Sequence, residues 1–110
     1  MIKTILKAAG FVENETFRKA RFLSPPPGNY AVYMDDIGGT DGPDGENSIK
    51  MHNYTVELYE PTPDDDIEQA IEDAIDAAGL RWTKQDRYWL QDEQLYQVIY
   101  EFTHIEKRRI

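Results

Sequence analysis

Few residues of this sequence have the chemistry that catalysis needs. His52 and His104 are its only histidines, and each lies in a segment where apolar and polar residues alternate, as they do in strands. Acid–base catalysis would require the fold to bring carboxylates beside them. Ser24 and Ser48 lie in loop-like segments that lack the strand–turn–helix context of a nucleophile elbow. The residues therefore favour structural roles for both histidines and predict a protein that is not an enzyme.

Two further features bear on metal and cofactor binding. The segment Asp41–Asn47 combines carboxylate and amide oxygens with glycines, but its spacing differs from that of an EF-hand, so a solvated loop is the better interpretation. The chain has no cysteine, which excludes disulfides, thiolate metal sites and cysteine nucleophiles. Cysteine usage of this kind favours maturation in a reducing cytoplasm. We expect no metal and no cofactor.

The charge of the chain limits its partners. The formal net charge is −9, whereas proteins that grip nucleic-acid phosphates carry basic patches. Acidic residues crowd the segment 64–76, which contains no lysine or arginine. This segment is either a solvated helix face or a surface for a basic partner. A basic group, Arg18, Lys19 and Arg21, and the tail Lys107–Arg109 could pair with it on a neighbouring copy.

Two helices are expected from the spacing of apolar residues. The first is short, begins near Ile2 and ends at Gly10. The second has Thr62 as its predicted N-cap, a continuous apolar stripe and Gly79 at its end. Both can be stable only if their apolar sides pack on the rest of the domain.

Strands are expected in the remaining segments. Alternation predicts a first hairpin with strands near 30–35 and 51–59, which follows a stiff proline-rich link over 24–28. The glycine-rich loop between these strands, 38–48, is predicted to be flexible until a neighbouring subunit orders it. Leu80–Glu106 predicts a second hairpin, with its turn at Gln91–Gln94.

The last strand is the most informative segment for function. One of its faces is wholly apolar, whereas the other is only partly polar and carries Leu95, Gln97, Ile99 and Glu101. A strand of this kind is central in its sheet, or it is covered by something outside its own subunit, and the second possibility carries the functional interpretation. We therefore predict a subunit interface at these four residues. Further candidates are Glu72, Asp73 and Asp76 in the acidic segment, and Arg18, Lys19 and Arg21.

Together these elements predict one domain over residues 1–110. A chain of 110 residues with 40% hydrophobic content can bury one core, and no run approaches the ~20 apolar residues that span a bilayer. The predicted fold is α+β, with the element order α-β-β-α-β-β. Two hairpins form a four-stranded, mainly antiparallel sheet, and both helices pack on one face.

Several segments resemble small proteins of the head–tail gene cluster of long-tailed phages and prophages, namely tail completion, tail terminator and head–tail joining proteins. They are the run Tyr30–Asp36, the strand Met51–Tyr59, the acidic helix after Pro61 and the final segment Arg87–Phe102. The resemblance covers nearly the whole chain and includes no catalytic motif. It implies a virion building block that forms a ring, commonly a hexamer, between capsid and tail.

The resemblance also implies partners and a location. The ring would contact neighbouring connector and tail-tube proteins, and DNA would pass through it without specific binding. The protein would reside in the virion, would occupy the host cytoplasm during assembly and would not contact a membrane. An acidic lumen suits a channel that DNA must cross without being held.

Two other classes of protein stay open. One is an acidic host-directed protein that imitates nucleic acid or occupies a basic partner, which would remain a monomer or dimer and bind in a salt-dependent way. The other is a small enzyme or ligand-binding domain, which the residues disfavour. Flanking portal, capsid and tail-tube genes would distinguish the virion protein from both.

Overall fold

Two helices and six strands make up the computed structural model, which describes residues 1–41 and 47–107. The helices are α1 (Ile2–Ala8) and α2 (Asp65–Ala77). The strands are β1 (Phe17–Lys19), β2 (Tyr30–Asp41), β3 (Asn47–Glu60), β4 (Trp82–Lys84), β5 (Tyr88–Leu90) and β6 (Leu95–Lys107). Neither of these helices is long and apolar enough to cross a membrane.

The six strands form one mixed sheet. Its centre is antiparallel, with β3 between β2 and β6. At one edge β1 runs parallel to β2, and on the other side both β4 and β5 pair antiparallel with β6. The predicted four-stranded, mainly antiparallel sheet with the order α-β-β-α-β-β is therefore wrong, because the described residues add β1 and divide the second hairpin.

Each difference has a local cause. β1 has only three residues, and one of them, Phe17, is fully buried, so strand-like alternation is too short to recognise. In the second hairpin Lys84 pairs with Tyr100 and Tyr88 pairs with Gln97. Three residues therefore lie opposite two on β6, and this extra residue interrupts the ladder as a bulge does.

The helices cover one face of the sheet. Ile5 and Leu6 of α1, and Ile71 and Ile75 of α2, join one core cluster with the strand residues that point toward them. Those strand residues are Phe17, Ala31, Tyr33, Tyr54, Val56, Leu58, Val98, Tyr100 and Phe102. Their regular alternation leaves every second side chain of the central strands on the opposite face, which is called the outer face below.

The ends of α2 follow from its sequence. Asp64, rather than Thr62, is the N-cap, and its Oδ1 accepts hydrogen bonds of 3.1 Å from the backbone N–H groups of Asp66 and Ile67. At the other end Gly79 adopts a positive φ of 76°. That conformation lets the N–H of Leu80 donate to the carbonyl of Ile75 at 3.3 Å. Both ends are thus fixed by local hydrogen bonds.

The central strands extend beyond the helices. β2, β3 and β6 contain 12, 14 and 13 residues, and the longest dimension of the molecule is 52 Å. β2 continues to Asp41 and β3 begins at Asn47, so both strands enter the predicted loop 38–48. Residues 42–46 of that loop, whose flexibility stays a prediction, lie outside the described residues. The link 24–28 connects β1 to β2.

Candidate assembly surface

The predicted interface residues of the last strand lie together on the outer face. Val98 and Tyr100 are fully buried against the helices, so the intervening Ile99 points away from them. Leu95, Gln97 and Ile99 are half-buried and Glu101 is exposed. The described residues place no helix over this face. It therefore presents apolar surface that a neighbouring protein could cover.

An aromatic group that sequence reasoning missed lies on the same face, where it is largely buried within the domain, with Tyr30 only 7% exposed. Tyr30 and Tyr59 are register partners on β2 and β3, and their rings stack with centroids 4.9 Å apart. Phe22 contacts the Tyr30 ring edge-on at 5.6 Å. Gln97 Nε2 donates a hydrogen bond of 3.1 Å to the Tyr59 hydroxyl, whose pKa burial raises to about 12. The stack depends on strand register, which the alternation pattern does not specify.

Exposed apolar side chains continue along the extended part of the sheet. Met51 and Ile105 are register partners, and 38% and 52% of their surfaces are exposed. They belong to the same alternation as Ile99, so they also lie on the outer face. Polar residues, Asn53 and Thr103, separate the two apolar areas and hydrogen-bond each other at 3.1 Å. The outer face thus has two apolar areas with a polar band between them.

The three acidic residues predicted as interface candidates on α2 differ in how freely their carboxylates could contact another subunit. Glu72 accepts a hydrogen bond of 2.7 Å from the Tyr100 hydroxyl and forms an ion pair with Lys84 at 2.8 Å, so its carboxylate is turned toward the sheet. Asp76 accepts a hydrogen bond of 2.8 Å from Trp82 Nε1. Asp73 accepts one of 2.9 Å from the Gln69 amide. Asp73 and Asp76 are exposed, and the donors of these two hydrogen bonds are neutral groups.

The basic candidates lie at the opposite edge of the sheet. Arg18 and Lys19 are in the edge strand β1 and Arg21 follows it, and all three residues are exposed. In the basic tail Lys107 ends β6, whereas Arg108 and Arg109 lie outside the described residues. The basic group therefore lies at the sheet edge opposite β4, the strand that Asp76 of α2 contacts through Trp82.

A buried ionic cluster fastens the β4–β5 segment to α2. Glu60 and Glu68 are 0% and 3% exposed. Lys84 Nζ lies 2.9 Å from one oxygen of Glu68, and Arg87 Nε donates to the other at 2.8 Å. Arg87 also pairs with Asp65. These bonds offset the cost of burying Glu68, and they tie two short strands to the helix.

Glu60 is the unusual member of this cluster. The backbone N–H of Asp64 donates to its Oε2 at 3.1 Å, whereas its Oε1 lies 3.9 Å from Arg87 Nε and accepts no hydrogen bond from the described residues. Burial, and then the neighbouring carboxylate of Glu68, raise the pKa of Glu60 to about 8. Burial alone would raise the pKa of Glu68, but the hydrogen bonds from Arg87 and Lys84 outweigh burial and lower this pKa below its ordinary value. The pair therefore holds one proton near neutral pH.

The chemistry available to this cluster is limited. A carboxyl group with a raised pKa is a frequent sign of acid–base catalysis. Here, however, both buried carboxylates are enclosed by contacts within the domain, and the partners just described account for Glu68 on both oxygens. A structural role is the interpretation that these contacts favour.

The histidines lie on the helix-side face, where the sheet extends past α1. His52 Nδ1 is 3.1 Å from Asp35 and Nε2 is 3.0 Å from Glu106. The hydrogen bond to Glu106, followed by that to Asp35, raises the pKa of His52. The His104 ring lies 5.8 Å from that of His52. The fold thus brings carboxylates to His52, as acid–base chemistry would require, but both ring nitrogens are already occupied.

Metal binding finds little support in this arrangement. Across residues 1–41 and 47–107, no group of three or more histidine, aspartate or glutamate side chains is arranged to hold a metal ion. The calcium-like segment Asp41–Asn47 falls mostly on residues 42–46, outside the described ranges. The surface best suited to a function is therefore the outer face with the two charged edges.

Comparison with known proteins adds evidence on the fold. No protein-family model matches the sequence. A solved structure described as the virion of native gene transfer agent particle contains a chain that is similar to this one, with a TM-score of 0.60 and 12% sequence identity. The match covers 94% of this chain and 84% of that chain. At this identity the likeness establishes the fold, and this chain therefore has the fold of a protein in the virion of a gene transfer agent particle.

Proposed function

We propose that this protein is a structural component of a phage-like virion, and that it forms part of a ring in the connector or tail terminator region between capsid and tail. The observation that carries the proposal is the fold shared with a gene transfer agent virion protein over 94% of the chain. The apolar side chains that remain accessible on the outer face, such as Ile99, Met51 and Ile105, support it, because a ring subunit needs surface for its neighbours. The function requires no catalysis.

The energetics fit a subunit that assembles on a platform. Leu95 and Ile99 are already half-buried, so covering two or three such side chains contributes at most roughly 1–2 kcal/mol each, from which the entropy of association must be subtracted. This is too little for a stable ring in dilute solution and enough once a platform raises the local concentration. The free protein is then a monomer or weak oligomer, and the virion ring is a hexamer.

The partners follow from the same proposal. Connector and tail-tube proteins form the platform, and DNA passes through the ring without specific binding, which the net charge of −9 favours. The alternative of an acidic protein that imitates nucleic acid has less support. Two carboxylates of its acidic helix, Glu68 and Glu72, are engaged by Lys84 and Arg87 and do not face solvent as phosphates would.

Ile99→Asp tests the outer face. Ile99 is half-buried on that face, so the variant should fold, whereas a carboxylate in a subunit contact would be desolvated without a partner. We expect the yield of infectious or transducing particles to fall at least about tenfold, which corresponds to 1.4 kcal/mol. The measurement is complementation of a gene-deleted phage or prophage, with circular dichroism to verify folding.

Ile37→Asp provides the matched control. Ile37 is 58% exposed and shares the alternation of Tyr33 on β2, which places it on the helix-side face, so this variant should complement fully. A folded Ile99→Asp protein that restored normal yield would remove the outer face from the assembly. Mass spectrometry of purified particles tests the function itself, because a virion component must be present in them at a fixed stoichiometry.

A further inference from the structure

The charge of this chain is divided unequally along the sequence. Residues 1–29 contain five lysines and arginines and two acidic residues, whereas residues 30–110 contain seven basic and nineteen acidic residues. The first segment therefore has a formal charge of +3 and the second one of −12. The net charge of −9 therefore does not show that residues 1–29 carry an excess of positive charge.

In the folded protein, basic residues of the first segment and acidic residues of the second lie at opposite edges of the sheet. The exposed residues Arg18, Lys19 and Arg21, called the basic edge here, lie at and after β1, which forms one edge of the sheet. No carboxylate of residues 1–41 or 47–107 forms an ion pair with them. The acidic residue Glu13 is instead paired with Lys3 at 2.7 Å and Lys7 at 3.7 Å.

The other edge of the sheet has the opposite sign. Helix α2 lies beside β4, as the Asp76–Trp82 hydrogen bond and the Glu72–Lys84 ion pair require. Asp73 and Asp76, called the acidic edge here, are exposed, and within the described residues neither has a cationic partner. Lys84 and Arg87 are nearby, but Glu68, Glu72 and Asp65 already pair with their charges. Arg81 is the remaining exposed cation of this region.

We infer that copies of this chain associate head-to-tail, with the basic edge of one copy against the acidic edge of the next. The inference rests on the proposed function and specifies the partner surface. The two edges lie on opposite sides of one subunit, so they cannot neutralise each other within it. A symmetric two-fold contact through either edge would place like charges together, whereas a heterologous contact pairs opposite charges and can close a ring.

Sedimentation velocity on the purified protein tests this contact. The wild type should show concentration-dependent association up to millimolar protein, stronger at 20 mM than at 300 mM NaCl because salt screens exposed charges. Arg18→Glu or Asp73→Lys alone should weaken the association roughly tenfold, since each places like charges across the contact. Lys50→Glu, which changes the net charge as Arg18→Glu does but lies on β3, should leave it unchanged.

Combined variants decide the orientation of the contact. A chain with both Arg18→Glu and Asp73→Lys should recover association, because its edges have exchanged sign. A mixture of the two single variants should also recover it, with the two proteins in equal amounts. Association that is absent in the wild type at millimolar protein, insensitive to the single variants, or not recovered in the combinations would overturn the inference.

The outcome is independent of the test of the proposed function. Particle composition decides whether the protein is a virion component, and sedimentation decides which surfaces of two copies meet. A protein found in particles whose association ignores Arg18 and Asp73 would retain the proposed function and lose this contact.

Discussion

Ile71→Asp should unfold the protein at room temperature. Ile71 lies on α2, is fully buried and belongs to the core cluster that joins both helices to the sheet. A lone buried charge costs several kcal/mol, and the lost burial of isoleucine adds roughly 2–3, against a total stability of about 5–15 kcal/mol for a domain. The position lies one turn after Glu68, so the new carboxylate would also meet an acidic neighbour.

Circular dichroism and urea titration measure this effect. Ile67→Asp is the matched control, because it makes the same substitution in the same helix at a half-buried position. It also lies in the first turns, where the helix dipole favours negative charge. We expect this control to remain folded with a lower urea midpoint. An Ile71→Asp protein with the wild-type midpoint would contradict the packing of α2 on the sheet.

Sequence patterns predicted those elements of the fold that depend on residues close together in the chain. The β2–β3 hairpin and the turn over 91–94 followed from alternation and turn residues, and α2 followed from its apolar stripe. The segment from Phe11 to Leu23 is compatible with an extended arm or a short edge strand, but the predicted sheet left β1 out because its pairing partner begins 14 residues later, at Ala31, and a parallel contact leaves no local signal. The division of the second hairpin was missed because one extra residue does not change the composition of a strand.

Of the candidate surface, only the face on which the β6 residues lie could be predicted from the sequence. A two-residue period is sufficient to place Leu95, Gln97, Ile99 and Glu101 on one face, and the structure places them there. The Tyr30–Tyr59 stack requires strand register, which depends on pairing across the sheet. The separation of the basic and acidic edges depends on strand order, which the chain specifies only through its global packing.

The buried ionic cluster was missed although its spacing is visible in the sequence. Glu60 continues the inward alternation of Tyr54, Val56 and Leu58, and Glu68 lies one turn before Ile71 on the apolar stripe. Charged side chains are almost never fully buried without partners, so Glu68 was counted with the acidic segment 64–76 and Glu60 was assigned no role. Lys84 and Arg87, which make the burial possible, come from a segment that only the folded chain brings beside α2.

Glu60→Gln should make the protein more stable at alkaline pH. Glu60 has a pKa of about 8 in the folded protein, well above the ordinary value near 4.3 of an unfolded chain. Between these two values the folded state binds more protons than the unfolded state, so stability falls as pH rises. This group therefore contributes its full stability below about pH 4, and that contribution, on the order of several kcal/mol, is lost progressively as pH rises from about 4 through 8.

Glutamine removes the titration and retains the hydrogen-bonding shape of a protonated carboxyl group. Its carbonyl can accept from the backbone N–H of Asp64, and its amide can donate to Glu68, which keeps Lys84 and Arg87 as partners. The free energy of urea unfolding, measured from pH 5 to 9, should be similar for both proteins at the acidic end. At pH 9 the free energy of unfolding of the variant should exceed that of the wild type by an amount on the order of several kcal/mol.

Glu57→Gln separates this effect from a general change in charge. Glu57 lies on the same strand but on the outer face, where its carboxylate accepts a hydrogen bond of 3.1 Å from the Tyr59 hydroxyl. Its removal should leave the slope of stability between pH 5 and 8 as in the wild type. If Glu60→Gln instead followed the wild-type slope, or lowered stability at pH 9, then Glu60 would be ionised in the folded protein and Arg87 would be its counter-ion across the 3.9 Å gap.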